Sequence, residues 1–158
     1  MEWVRRAGEY RTLAGKRDEL GFPLAPLESA RLAELERFFS ACADPERVPF
    51  VQREHIRRAI SIVVTFRTGQ LGNESGEARD ISGEGLYIAC HQPLDIGEST
   101  VVRVIDRFSG EEWRFGAEVV RVELGERPGM GLRFVGIPLA LRVGHRGAPP
   151  ELPHRKAA

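Results

Sequence analysis

Between Arg53 and Gly85 the chain carries two groups of residues suited to gripping a planar, anionic ligand. The first is Arg53, Arg57 and Arg58, in the stretch Arg53-Glu54-His55-Ile56-Arg57-Arg58. A guanidinium is a planar fork of donors that meets phosphate oxygens, or the O6/N7 edge of guanine, in bidentate fashion. The second is Asp80-Ile81-Ser82-Gly83-Glu84-Gly85. A carboxylate at Asp80 accepts from guanine N1–H and N2–H, Ser82 supplies a short donor and acceptor, and Gly85 lets a ligand approach the backbone. The set therefore complements both faces of a guanine nucleotide. Each half alone is common: arginines at this step occur on any solvated face, and Asp-x-Ser-x-x-Gly also caps an ordinary turn.

The elements around these groups follow from periodicity. In residues 1–20, Trp3, Ala7, Tyr10 and Ala14 share a helical face, but Gly8 and Gly15 interrupt it, so a short and partly ordered helix is expected. Gly21-Phe22-Pro23-Leu24-Ala25-Pro26 breaks it. From Leu27 to Ala41 the pattern is firmly helical, with Leu32, Leu35, Phe38, Phe39 and Cys42 in one stripe. That stripe needs cover, from the domain that follows or from a second copy. Asp44-Pro45 ends the helix.

Beyond Gln52 the texture becomes β. Ile60, Ile62, Val64 and Phe66 alternate along one strand, and Gly69–Gly76 reads as a polar loop before a short strand into Asp80-Ile81. Gly85–Cys90 and Thr100–Ile105 are further strands, separated by a turn at Gln92–Gly97. Trp113, Phe115, Ala117 and Val119 face one way, after which the apolar parity moves to Val120, Val122 and Leu124. Such a shift signals a bulge or bend, as closing barrels require. Arg127-Pro128-Gly129 turns the chain into a last strand, Gly131–Val135. Six or so short strands punctuated by turns predict a mainly β antiparallel barrel with an N-terminal α-helical extension. The expected divisions are 1–51 for the helical extension and connector, 52–143 for the barrel, and 144–158 for a Pro- and Gly-rich disordered tail.

Bulk properties narrow the function. Lys+Arg and Asp+Glu are balanced at 23 each in 158 residues, so no global field draws the chain to nucleic acid or an anionic membrane. Anion binding must come from a local cluster. No apolar run reaches membrane-spanning length and the N-terminus lacks a signal-peptide core, so no membrane insertion and a cytoplasmic location are expected. Cys42 and Cys90 are far apart and read as buried free thiols. His55, His91, His145 and His154 show no metal-ligand spacing with Cys or carboxylates, and Ser82 has no predictable His partner, so neither a metal site nor catalysis is expected.

The order and spacing of the two groups resemble the PilZ domain family, in which an Arg-x3-Arg motif precedes the first strand and an Asp/Asn-x-Ser-x-x-Gly motif follows it. Here these are Arg53/Arg57 and Asp80/Ser82/Gly85. The likeness runs from about Gln52 to Pro138. It takes in Gly85-Leu86-Tyr87-Ile88, the Leu94–Glu98 turn and Gly129-Met130-Gly131-Leu132-Arg133-Phe134. The resemblance implies a six-stranded antiparallel β-barrel that binds the bacterial second messenger cyclic di-GMP. Arg53, Arg57 and Arg58 would hold guanines and phosphates, and Asp80, Ser82 and Gly85 would complete the pocket. It further implies a receptor that changes conformation on binding to regulate motility, surface or biofilm behaviour. Its N-terminal helix would meet a protein partner or a second copy. The alternative within the same family is an interaction adaptor of pilus or motility machinery that does not bind the nucleotide. Glu84 stands where many members have a second glycine and places a negative side chain by the motif.

Overall fold

The computed structural model describes residues 1–40, 57–68, 72–106 and 109–142. Two helices, α1 (Glu2–Asp18) and α2 (Pro26–Ser40), precede six strands. These are β1 (Arg58–Thr68), β2 (Gly72–Ile81), β3 (Gly85–Ala89), β4 (Ser99–Ile105), β5 (Glu111–Glu123) and β6 (Gly129–Arg142). The strands are antiparallel in the order β1-β2-β3-β6-β5-β4, and pairing of β1 with β4 closes the barrel. This is the mainly β, six-stranded architecture with N-terminal helices that the sequence predicts.

Alternation fills the barrel. Val64 and Phe66, Val102 and Val104, Phe115, Ala117 and Val119, and Leu132 and Phe134 are all buried. Phe115 stacks on Phe134 with ring centroids 4.4 Å apart. The parity shift in β5 is a bulge: its register with β6 slips between Val119 and Arg121. Val122 then packs against the core, whereas Val120 and Leu124 remain exposed.

Two strands are longer than expected. β2 begins at Gly72, inside the predicted polar loop, and pairs with β1 from Thr68↔Gly72 onward. Its first residues, Gly72-Asn73-Glu74-Ser75, are exposed. Ladder hydrogen bonds rather than burial define this arm, so no apolar alternation announces it. β6 continues past Val135 to Arg142, through Pro138. Its register with β5 jumps from Gly116↔Val135 to Arg114↔Leu139, leaving Gly136, Ile137 and Pro138 bulged out. Gly136 supplies the positive φ of 69° that the bulge needs, and Pro138 sits where no ladder N–H is required.

The helices depart further from expectation. α1 is a 17-residue helix, and the glycines that weaken its sequence pattern are its contact points. A Cβ on Gly8 would overlap the Trp113 ring, and one on Gly15 would lie 2.9 Å from Ile137 Cγ1. α1 packs on β6, β5 and β2, and Val4, Ala7, Tyr10 and Ala14 join the barrel's core.

α2 starts with Pro26 and is capped by Glu28, whose carboxylate accepts from the Ala25 N–H at 2.8 Å. Its stripe of Leu32, Leu35 and Phe39 is buried, and α2 docks on α1, a neighbour the sequence pattern alone did not point to. Ion pairs Lys16–Glu28, Arg17–Glu36 and Arg31–Glu9 line the seam. Trp3 stacks on Phe38 at 4.7 Å, and Tyr10 meets Phe39 edge-on at 5.7 Å. Cys42 and the tail 144–158 lie outside the described residues.

Candidate functional site

Five of the candidate site residues fall among the described residues: Arg57, Arg58, Asp80, Ser82 and Gly85; Arg53 lies outside them. The turn between β2 and β3 is built from its own motif. Ser82 N–H donates to the Gly85 carbonyl at 2.8 Å, and Ser82 Oγ donates to the same oxygen at 3.3 Å. Glu84 N–H donates to Ser82 Oγ at 3.3 Å. From β6, Phe134 N–H donates to the Glu84 carbonyl at 2.7 Å. Ser82 is 5% exposed, and a Cβ on Gly85 would overlap the Leu132 carbonyl oxygen. Only glycine fits there. The motif's serine and last glycine thus lock the turn against β6.

Asp80 reaches its position through a bulge. Ala78 and Ile81 are both buried although three positions apart, because the β2–β3 register slips between Ala78 and Asp80. A slip of one residue exchanges faces, so Asp80 is left half-buried opposite Tyr87. β1 carries a matching irregularity between Ala59 and Ile62. With Ala59 paired to Asp80, the residue just before β1 comes within reach of the carboxylate. Arg57 Nη1 donates to Asp80 Oδ1 at 3.2 Å. The two sequence motifs therefore meet.

Arg58 turns toward the helices. Its guanidinium carbon lies 5.0 Å from the Trp3 ring centroid, a cation–π contact. The motif's turn also touches α1: a Cβ on Gly83 would sit 2.6 Å from Tyr10 Cδ1. Burial, reinforced by the charges of Glu84 and Glu36, pushes the Tyr10 phenol up to about 12. Glu84, exposed, lines a cleft with Arg11, Glu19 and Arg133 between α1 and β6. It thus belongs to the α1 side of the turn, and neither Arg57 nor Asp80 lines that cleft.

Near Asp80, a groove of about 950 Å³ is lined by Ser61 and Val63 of β1, Glu77 and Arg79 of β2, and Tyr87 of β3, while Arg57, Arg58, Asp80, Ser82 and Gly85 are not among its lining residues. Arg79 and Tyr87 are the chain neighbour and cross-strand neighbour of Asp80. Tyr87 Oη donates to Glu123 Oε2 at 2.9 Å, and Arg121 lies 5.6 Å from its ring centroid. Cys90 borders the groove as a buried thiol that burial pushes upward. Arg133 is held by Glu118 at 2.8 Å.

Trp3 and Tyr10 at the site were not identifiable from the motifs. Their helical spacing signals a buried face, but nothing in it says that the face meets Arg58 and Gly83. Tyr87 carries a weaker signal, lying two residues beyond Gly85 on the strand that the motif opens. Among the described residues, no three His, Cys, Asp or Glu cluster as metal ligands, and no helix is long and apolar enough to cross a membrane.

The family model of the PilZ domain matches residues 51–143, more than half of the chain. No curated protein matches it in sequence. Among solved structures, the Bacillus subtilis inhibitor of motility (MotI/DgrA) aligns at 18% identity over 56% of this chain and 44% of its own, with a TM-score of 0.46. The chain thus spans less than half of that protein's length. The PilZ domain of CeSA from a cellulose synthesizing bacterium aligns at 20% identity over 51% of this chain and 81% of its own, with a TM-score of 0.40.

Proposed function

Since the chain belongs to the PilZ domain family, we propose that it is a cytoplasmic receptor for cyclic di-GMP, acting by binding rather than catalysis. The observation that carries this reading is the Arg57–Asp80 contact at 3.2 Å, which joins the two motifs at one place. Both side chains are partly open to water, at 25% and 30% exposure, so a ligand can reach them. A phosphate or guanine edge offers Arg57 two acceptors in place of one carboxylate oxygen, and frees Asp80 to accept from guanine N–H groups. The adjoining groove of about 950 Å³ is of a size that takes a ligand this large. Arg53 and Arg58 complete the cationic side, and the Ser82–Gly85 turn forms the floor.

Calorimetry on the whole chain tests this. Cyclic di-GMP is expected to bind the wild type, and Arg57→Ala to weaken binding at least tenfold through loss of a charge-assisted contact. No heat of binding at high micromolar cyclic di-GMP would sink the reading.

The output, in motility, surface or biofilm behaviour, then passes through the helices to a protein partner. Exposed Leu20, Phe22 and Leu27 at the α1–α2 connection support such a contact. The same residues favour a second reading, the adaptor that works without nucleotide. Partner binding that ignores both cyclic di-GMP and Arg57→Ala would select it.

A further inference from the structure

The outer face of β4 and β5 carries charge that the Arg57–Asp80 site does not use. Val102, Val104, Trp113 and Phe115 point into the barrel, so Val101, Arg103, Ile105 and Arg114 point out. Strand register sets them side by side: Arg103 stands opposite Arg114, and Arg114 opposite Leu139 of β6. One step beyond the Phe66↔Val102 pair, Arg67 of β1 stands opposite Val101, and Thr100 Oγ1 donates to the Arg67 carbonyl at 2.7 Å. Val101, Ile105 and Leu139 are exposed although apolar. Arg67 is exposed and has no ion pair among the described residues. Glu112, buried between Arg103 and Arg114, takes one bond from each. A guanidinium has five N–H groups, and both side chains are near half-exposed, so each keeps donors turned to solvent. Three arginines against one carboxylate leave this face net positive, on a chain whose charges balance overall.

We propose that this face is a docking surface for an acidic, partly apolar segment of another protein. Apolar side chains set among arginines, with the one acid between them buried, have the composition of an interface core. Arginine forks take carboxylates in bidentate fashion. Glu112 fixes two of the forks before any partner arrives, so little side-chain freedom is lost on binding. A second copy docked on a two-fold axis would set these arginines against their own kind. A nucleic acid would find no exposed aromatic to stack on among the described residues of these strands, and would leave Val101, Ile105 and Leu139 against its phosphates. β4 and β5 stand across the barrel from β3 and β2, which carry the motif turn. Docking here therefore leaves that site uncovered, whether or not a nucleotide occupies it, and the surface serves receptor and adaptor alike.

The test is an NMR titration of the full chain with a short synthetic peptide alternating Glu with Leu. It is repeated with Ser in place of Leu, and with a single-stranded oligonucleotide of equal charge. The Glu–Leu peptide is expected to shift the amides of Arg67, Val101, Arg103 and Arg114, and to bind about threefold or more tighter than the Glu–Ser peptide. Arg67→Glu and Val101→Asp leave the Glu112 bonds intact, and each is expected to weaken binding about threefold or more. Arg67→Gln, which adds no new charge, replaces Val101→Asp should that variant lose its fold by circular dichroism. Arg37→Glu makes the same change of net charge as Arg67→Glu on the exposed face of α2, and is expected to leave binding unaltered. No shifts at millimolar peptide, shifts centred elsewhere, or an equal loss in Arg37→Glu overturns the docking surface. An oligonucleotide that binds these residues more tightly than the Glu–Leu peptide overturns it too, in favour of a nucleic-acid partner.

Discussion

On β5, Glu112 is 1% exposed and is held from two sides. Arg114 Nε donates to Oε1 at 2.6 Å and Arg103 Nη2 donates to Oε2 at 2.8 Å. Arg103 Nε also lies 2.8 Å from Oε1, misaligned for a hydrogen bond. Before β1, Arg57 meets Asp80 through one bond of 3.2 Å, with a quarter or more of each side chain in water. These two arginine–carboxylate contacts on one barrel thus stand in opposite conditions. A carboxylate out of water and doubly held cannot change partners without leaving charge uncompensated. A single exposed contact is worth little and can be exchanged for a better acceptor. The first pair is a component of the barrel, and the second has the properties of a site in waiting. The motif turn next to Asp80 belongs with the first kind, since its serine and glycine are packed and bonded against β6.

Substitutions along this contrast separate the two kinds, and the largest effect is expected in the turn. Gly85→Ala drives a Cβ into the Leu132 carbonyl, with no flexible side chain to give way. It should cost about 3 kcal/mol or more in urea unfolding, or abolish folding. Next comes Glu112→Gln, which leaves Arg103 and Arg114 without their counter-charge. Because both arginines are near half-exposed and can rehydrate, a loss of about 2 kcal/mol is expected, with affinity for cyclic di-GMP unchanged.

The Glu112 effect carries a pH signature. Its bond to Arg103 first, then that to Arg114, hold the carboxyl at about 2, below the ordinary 4.5. A folded-state pKa below the unfolded one stabilises fully above the unfolded value and is lost as pH falls. The stability difference between wild type and Glu112→Gln should therefore persist at neutral pH and close between about 4.5 and 2. A difference unchanged at pH 3 would mean that packing, not charge, carries it.

The smallest stability effect is expected from Arg57→Ala, at about 0.5 kcal/mol or less. Combined with the tenfold or greater loss of ligand expected for this variant, that split would set it apart from Glu112→Gln. A stability loss as large as that of Glu112→Gln would erase the distinction between the two arginine–carboxylate sites.

Some of the molecule was readable one residue at a time. Inward alternation gave Val64 and Phe66 of β1 and Phe115, Ala117 and Val119 of β5, because burial on one face imposes a period of two. The bulge near Val119 was visible for the same reason, as a broken period. The first part of β2 was hidden because this exposed arm has no apolar face to alternate. The continuation of β6 was hidden because Gly136 and Pro138 look like an ending until a bulge accommodates them. α1 was undervalued because glycine lowers helix propensity, while close approach to Trp113 and Ile137 is a property of the partner.

The candidate site divides the same way. By itself the sequence determined which groups are available: arginines before the first strand, an Asp-x-Ser-x-x-Gly turn after the second, and strands to carry them. Residue type and short-range spacing are enough for that. Only the tertiary structure decided what those groups do at rest. The register slips in β1 and β2 bring Asp80 to Arg57, and the docking of α1 brings Trp3 to Arg58 and Tyr10 to Gly83. These are contacts between residues distant along the chain, set by how strands slip and helices pack, and local spacing carries no record of them.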